Sequence, residues 1–183
     1  MVLAPGAGAG REQPGVVAVA GAVAAAGIRV ERIDFPYRLA GRRRPDRPAV
    51  LVASIVDATG ALARELGVPT NEIAIGGRSM GGRMCSMAVA DGLAVAALVL
   101  LSYPLHPPGH PERLRIDHFP RIDVPCLFVS GTRDAFGTPE ELERATASIA
   151  GPVTHVWLKG ADHSLRGHEH DAADAVSDWL RRG

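Results

Sequence analysis

Short apolar runs alternate with longer helical patterns along all 183 residues, which predicts a three-layer α/β/α sandwich around a mostly parallel sheet of about six strands. Two further observations support a single domain over residues 1–183. The chain is 46% hydrophobic and 22% charged, and neither a repeat nor a linker-like stretch divides it. Its 20 basic and 20 acidic residues cancel, so no global field exists to hold a nucleic acid or an anionic membrane, and neither is expected as a partner.

The strand candidates in order are Val2 to Ala4, Ile28 to Ile33, Glu72 to Ile75, Ala96 to Leu101, Pro125 to Val129 and Val153 to Leu158. Helical patterns fill the gaps at Gln13 to Ala26, Pro48 to Leu66, Gly81 to Asp91, Pro139 to Ile149 and Asp171 to Leu180. Gly27 and Gly67 stand where helices should stop. Thr138-Pro139-Glu140-Glu141 combines an N-cap residue, a proline at the first helical position and acidic side chains against the helix dipole. Arg38 to Arg47 is basic, contains a proline and reads as a solvated loop. Tyr103 to Arg121 holds Pro104, Pro107, Pro108, Pro111 and Pro120, too many for a continuous helix. An irregular segment that long is usually functional or disordered.

Cys85 and Cys126 both lie in apolar stretches, the pattern of buried thiols in a reducing compartment and not of a disulfide framework. The opening Met1-Val2-Leu3-Ala4-Pro5 has no basic start and no cleavable apolar core. The longest apolar runs, Val16 to Ala26 and Leu93 to Leu101, fall short of the ~20 residues a bilayer requires. A cytoplasmic protein is the expectation.

The chemistry is concentrated where the third strand candidate ends. Gly76-Gly77-Arg78-Ser79-Met80-Gly81-Gly82 contains Gly-x-Ser-x-Gly between a predicted strand and a predicted helix, the arrangement that exposes a serine hydroxyl on a tight, strained turn. Gly77 and Gly81 fall where a side chain would strike neighbouring backbone as the chain reverses. A hydroxyl is a weak nucleophile, so Ser79 requires a base and an acid that orients the base. In this arrangement the order along the chain is Ser, then Asp or Glu, then His, each just past a strand. Asp134 follows the strand ending at Val129, and His163 follows the strand ending at Leu158. His163 is therefore the expected base and Asp134 the expected acid. Asp162 competes for the acid role but points along its loop, and Asp123 precedes its strand and lies at the wrong end. His168 and His170 fall at the last helix cap, where a lone His-x-His pair lacks a third metal ligand; no metal and no cofactor is expected.

An oxyanion requires donors. The backbone N–H of Met80, beyond the nucleophile, supplies one, and the small-residue turn Pro5-Gly6-Ala7-Gly8-Ala9-Gly10 after the first strand supplies the other, from Ala7 or alternatively Gly6. That turn lacks the Gly-Lys-Ser/Thr of a P-loop and the spacing of a dinucleotide fingerprint.

Taken together, Pro5 to Gly8, Asp34-Phe35-Pro36-Tyr37, Gly76 to Gly82, Tyr103-Pro104-Leu105, Gly131 to Asp134 and Gly160 to His163 resemble the α/β-hydrolase superfamily over nearly the whole chain. The similarity is to its small dienelactone-hydrolase-like branch, in the group that includes testis-expressed protein 30 and the non-specific-lethal complex subunit 3. The resemblance implies a Ser79–Asp134–His163 triad and a minimal fold lacking the usual first two strands, so that Ile28 to Ile33 becomes an edge. Pro5 departs from the histidine that often precedes the oxyanion glycines. The implied activity is hydrolysis of an ester, thioester or similar acyl bond in a small soluble substrate, with Tyr37, Tyr103, Leu105 and His106 as candidate crevice walls. Acyl transfer to another acceptor would use the same residues. A non-catalytic scaffold serving as a protein-interaction module is the alternative, since fold does not fix function. Nothing in the sequence indicates a homo-oligomer, and whether Arg78, Arg83 or Arg11 meets an acidic group of the substrate stays open.

Overall fold

The computed structural model describes residues 1–182. Six strands, β1 (Val2–Ala4), β2 (Glu31–Arg32), β3 (Ala74–Arg78), β4 (Ala97–Leu101), β5 (Cys126–Gly131) and β6 (Val153–Leu158), form one sheet in the order β2-β1-β3-β4-β5-β6. Every pairing is parallel. The helices are α1 (Pro14–Ala25), α2 (Pro36–Leu39), α3 (Pro48–Leu66), α4 (Met80–Ala90), α5 (Pro139–Thr146) and α6 (Glu169–Arg182). None is long and apolar enough to cross a membrane among the described residues.

Strand side chains alternate between the two faces. Val2, Leu98, Leu100, Cys126 and Phe128 pack against α3, α4 and α5 through Leu51, Ile55, Met84 and Leu142. Leu3, Val99, Leu101, Leu127 and Val129 face α1 and α6, where Val16, Val19 and Val176 close the second core. These strands are buried on both faces, which is why they read as continuous apolar runs and not as alternating ones. Cys85 and Cys126 are buried free thiols, each pushed up by burial.

Two strand readings require correction. Only Glu31 and Arg32 of the predicted Ile28–Ile33 pair in the sheet, because their neighbour β1 offers three residues; Glu31 and Ile33 donate to the Met1 and Leu3 carbonyls and the ladder ends. The third strand starts at Ala74, since Thr70–Glu72 forms a 3₁₀ turn, and it continues through Gly76 and Gly77 to Arg78. Glycine is required inside this strand, because a Cβ on Gly76 would collide with the Val99 carbonyl. α4 begins at Met80, one residue before its predicted start, and α5 stops at Thr146, three before its predicted end. Thr138 caps α5 reciprocally with Glu141, and Gly67 ends α3 at φ 69°.

The chain turns one way from β1 to β2 and the other way from β3 to β6. The loops after β1 and β3 therefore flank the switch point, the crevice where open parallel sheets place ligands.

Candidate active site

Ser79 sits between β3 and α4 at φ 50° and ψ −116°, a conformation that costs a non-glycine residue roughly 1–3 kcal/mol. Its surroundings enforce it. The Ser79 N–H donates to the Leu101 carbonyl at 2.8 Å, which holds the turn to the end of β4. On the other side α4 comes so close to β1 that a Cβ on Gly81 would lie 2.5 Å from both the Ala4 and Pro5 carbonyls, and one on Gly77 2.5 Å from the Ala4 carbonyl. The flanking glycines are thus needed for close approach, as the sequence suggested. Ser79 Oγ does not cap α4; it points outward.

That oxygen lies 2.9 Å from His163 Nε2. His163 Nδ1 lies 2.8 Å from Asp134 Oδ2 and 3.0 Å from Oδ1. An ionised carboxylate only accepts, so Nδ1 carries the imidazole proton and Nε2 is left to accept from the Ser79 hydroxyl. Asp134 is 3% exposed, and its Oδ1 also accepts the Phe136 N–H at 2.8 Å. The Phe136 ring stacks on the His163 imidazole with centroids 3.9 Å apart and planes 28° from parallel. The two loops are joined at their base. Thr132 N–H donates to the Leu158 carbonyl at 3.0 Å, Arg133 N–H to the Ala161 carbonyl at 2.9 Å, and Gly160 N–H to Thr132 Oγ1 at 2.9 Å. Parallel pairing of β5 with β6 delivers Asp134 and His163 to one edge, and these bonds fix their separation.

The competing acids and histidines lie elsewhere. Asp162 is exposed, and its Oδ1 accepts from both the N–H and the hydroxyl of Ser164 at 2.8 and 2.6 Å, which lowers its pKa. Asp123 is exposed before β5. His168 Nδ1 lies 3.1 Å from Asp171 Oδ2 at the start of α6, and His170 is exposed.

In the turn after β1, Gly6 N–H donates to Gln13 Oε1 at 2.8 Å and Gly8 N–H to the Tyr37 hydroxyl oxygen at 3.0 Å. Ala9 N–H closes the turn on the Gly6 carbonyl at 3.2 Å. Among the described residues the Ala7 and Met80 amides have no hydrogen-bond partner, whereas the Gly6 amide is taken by Gln13, nine residues beyond Ala4.

The four wall candidates require correction. Tyr37 and Leu105 are 0% exposed, Tyr103 1% and His106 5%, so they stand behind the crevice surface and support it. Tyr37 holds the turn after β1 through its hydroxyl. Tyr103 packs on Phe119 and Phe128, and the His106 N–H donates to the Phe136 carbonyl at 3.1 Å. Sequence reasoning missed Phe136, Gln13 and the role of Arg78. Arg78 forms no ion pair among the described residues; its Nη2 donates to the His163 main-chain carbonyl at 2.7 Å, and its Nη1 would lie 3.1 Å from a Cβ on Gly6. Burial lowers its pKa, against the pull of Asp134 and Asp162. The arginine next to Ser79 thus holds the His163 loop and passes beside the turn after β1.

A family model described as an α/β hydrolase domain matches residues 1–181. Among solved structures, an α/β serine hydrolase homologue from Coxiella burnetii superposes with a TM-score of 0.80 at 19% identity, covering 98% of this chain and 84% of that one. Dienelactone hydrolase from Anabaena variabilis gives 0.76 at 22% identity, covering 99% and 84%. Est1E from Butyrivibrio proteoclasticus with ferulic acid bound gives 0.82 at 16% identity, covering 99% and 87%. At these identities the likeness is one of fold.

Proposed function

Because the chain belongs to the α/β-hydrolase family, we propose that it is a serine hydrolase that cleaves an ester, thioester or similarly activated acyl bond through an acyl-enzyme. The observation that carries this reading is the uninterrupted Ser79–His163–Asp134 hydrogen-bonded chain, with separations of 2.9 and 2.8 Å.

As Ser79 Oγ attacks the acyl carbon, its proton passes to His163 Nε2, and Asp134 stabilises the imidazolium while holding its orientation. The carbonyl oxygen, now negative, takes the free Met80 and Ala7 amides. Collapse of the tetrahedral adduct breaks the bond to the leaving group, which receives the proton from His163. Water then repeats the sequence: it gives a proton to His163, attacks the Ser79 ester, and releases the acid as Ser79 Oγ recovers the proton. The Phe136 ring against the imidazole shields one face from water. Small soluble substrates suit this rim, since the segment after β4 is an irregular strap tied to the body and not an apolar helical lid.

Activity-based labelling tests the reading. A fluorophosphonate is expected to modify Ser79 in the wild-type protein, and Ser79→Ala is expected to abolish both labelling and p-nitrophenyl acetate turnover while the melting temperature holds. A folded protein that stays unlabelled would leave the fold as a non-catalytic interaction scaffold.

A further inference from the structure

The strap between β4 and β5 runs in step with α4. His118 Nε2 lies 2.7 Å from Ser86 Oγ, and Arg121 Nε donates to the Ala90 carbonyl at 3.1 Å. Arg115 lies three residues before His118 and Arg83 three residues before Ser86; both charges act on the buried Tyr103 hydroxyl, and the charge of Arg83 is felt at Arg115. The Tyr103 hydroxyl fixes the Arg115 backbone by donating to its carbonyl at 2.6 Å.

Both arginines are half-buried and lack a counter-charge. Arg83 Nε is buried without a hydrogen-bond partner, and the Arg115 guanidinium has one long bond, 3.3 Å, to the Pro104 carbonyl. Neither joins an ion pair among the described residues, although Arg29, Arg32 and Arg42 all do. Neither Tyr103 nor His118 supplies a negative charge. Burial keeps Tyr103 a neutral phenol, and it holds His118 down at about 4, helped by the charge of Arg83 and opposed by Asp91 and Asp117. Arg115 is itself lowered by burial and then by Arg83. Two like charges, partly desolvated and side by side, are costly unless an anion joins them.

Their position says which anion. Arg83 follows Ser79 by four residues, about 6 Å along the helix axis, and helical side chains lean toward the N-terminus, here the Ser79 end. Guanidinium forks match carboxylate geometry. We infer that Arg83 and Arg115 form an anion subsite that selects acyl substrates ending in a carboxylate a few carbons beyond the scissile carbonyl. The selectivity rests on the serine-hydrolase reading, whereas the binding of the anion does not.

Two measurements on the full chain keep these apart. The first is the ratio of kcat/KM for mono-p-nitrophenyl adipate to that for p-nitrophenyl hexanoate, which has the same length and an uncharged end. The ratio is expected to fall about tenfold in Arg83→Met and in Arg115→Met, the loss of one charge-assisted contact, with part retained in Arg83→Lys. The second is adipate binding to Ser79→Ala by titration calorimetry, expected to weaken by a similar factor when either arginine is also replaced. An unchanged ratio in both methionine variants, or adipate binding indifferent to both arginines, overturns the subsite. Adipate binding that depends on the arginines in a protein without Ser79-dependent turnover supports the subsite and removes only the hydrolase reading.

Discussion

The two ends of the parallel sheet are opposites. Where the strands begin, a cavity of about 510 Å³ opens between Ala74, Ala97, Pro125, Thr154, Trp179 and Leu180, walled mainly by apolar atoms. Where they end, a smaller concavity of about 220 Å³ lies beside Asp162 and Arg166. Yet this crowded rim carries the whole Ser–His–Asp chain and, among the described residues, all three non-glycine positions with positive φ: Ser79, Ser102 and Leu165. Room and chemistry are separated because parallel topology sends the strand C-termini and the helix N-termini to the same end, with unpaired amides and the positive dipole ends facing it. The larger of these two cavities thus lies at the opposite end from the Ser79–His163–Asp134 chain.

The sharpest way to break this contrast is at the acid. Asp134→Asn leaves the shape of the rim but allows the side-chain amide to donate where only an acceptor holds the correct tautomer; turnover of p-nitrophenyl acetate is expected to fall on the order of 10⁴-fold. Asp162→Asn, at an exposed residue engaged with Ser164, is expected to change it little. A large loss at Asp162 with a small one at Asp134 would reassign the acid.

The next effect concerns packing. Gly81→Ala drives a Cβ to 2.5 Å from two main-chain carbonyls that cannot swing away, so about 1–3 kcal/mol of stability is expected to vanish in denaturant unfolding. In the exposed part of α1, Gly21→Ala meets nothing within 4 Å and is expected to stabilise by up to about 1 kcal/mol. Equal responses at the two glycines would mean that the rim is not built on close backbone approach.

These residues also mark how far the sequence could be read. The juxtaposition of Ser79, His163 and Asp134 was legible because strand C-termini are visible as the ends of apolar runs, and parallel pairing turns chain order into spatial position. Gly77 and Gly81 were legible because a strand-to-helix reversal leaves no room for side chains. Partners chosen across the fold were not. Nothing local announces that Gln13 occupies the Gly6 amide, or that Arg78 reaches the His163 carbonyl 85 residues away. The wall residues were misplaced for a related reason: Tyr103 and Leu105 leave a strand at the correct end, but the direction of a side chain in an irregular segment is set by tertiary contacts such as the Phe119 and Phe128 rings.

The Arg78 brace gives a smaller, kinetic effect. Arg78→Met removes the 2.7 Å bond that holds the base loop without touching the triad side chains. An approximately tenfold fall in kcat, with KM little changed, is expected from a misplaced base. Arg78→Lys should recover part of it, because a lysine amine can still donate to that carbonyl. Unaltered kcat in Arg78→Met would show that the loop needs no brace.

The smallest expected effect lies at the opposite end. Trp179 Nε1 donates to Thr154 Oγ1 at 3.1 Å beside the large cavity, and both groups are near solvent. Thr154→Val keeps the shape and removes the acceptor, so water can take over the indole N–H and the cost should stay below about 1 kcal/mol, a shift of roughly 2–4 °C or less in melting temperature. Kinetic constants should not move at all, since no hydrogen bond or ion pair of the rim passes through Thr154. A fall in kcat/KM in this variant would show that the two ends of the sheet are coupled, and the cavity at the strand starts would then have to be counted as part of the working site.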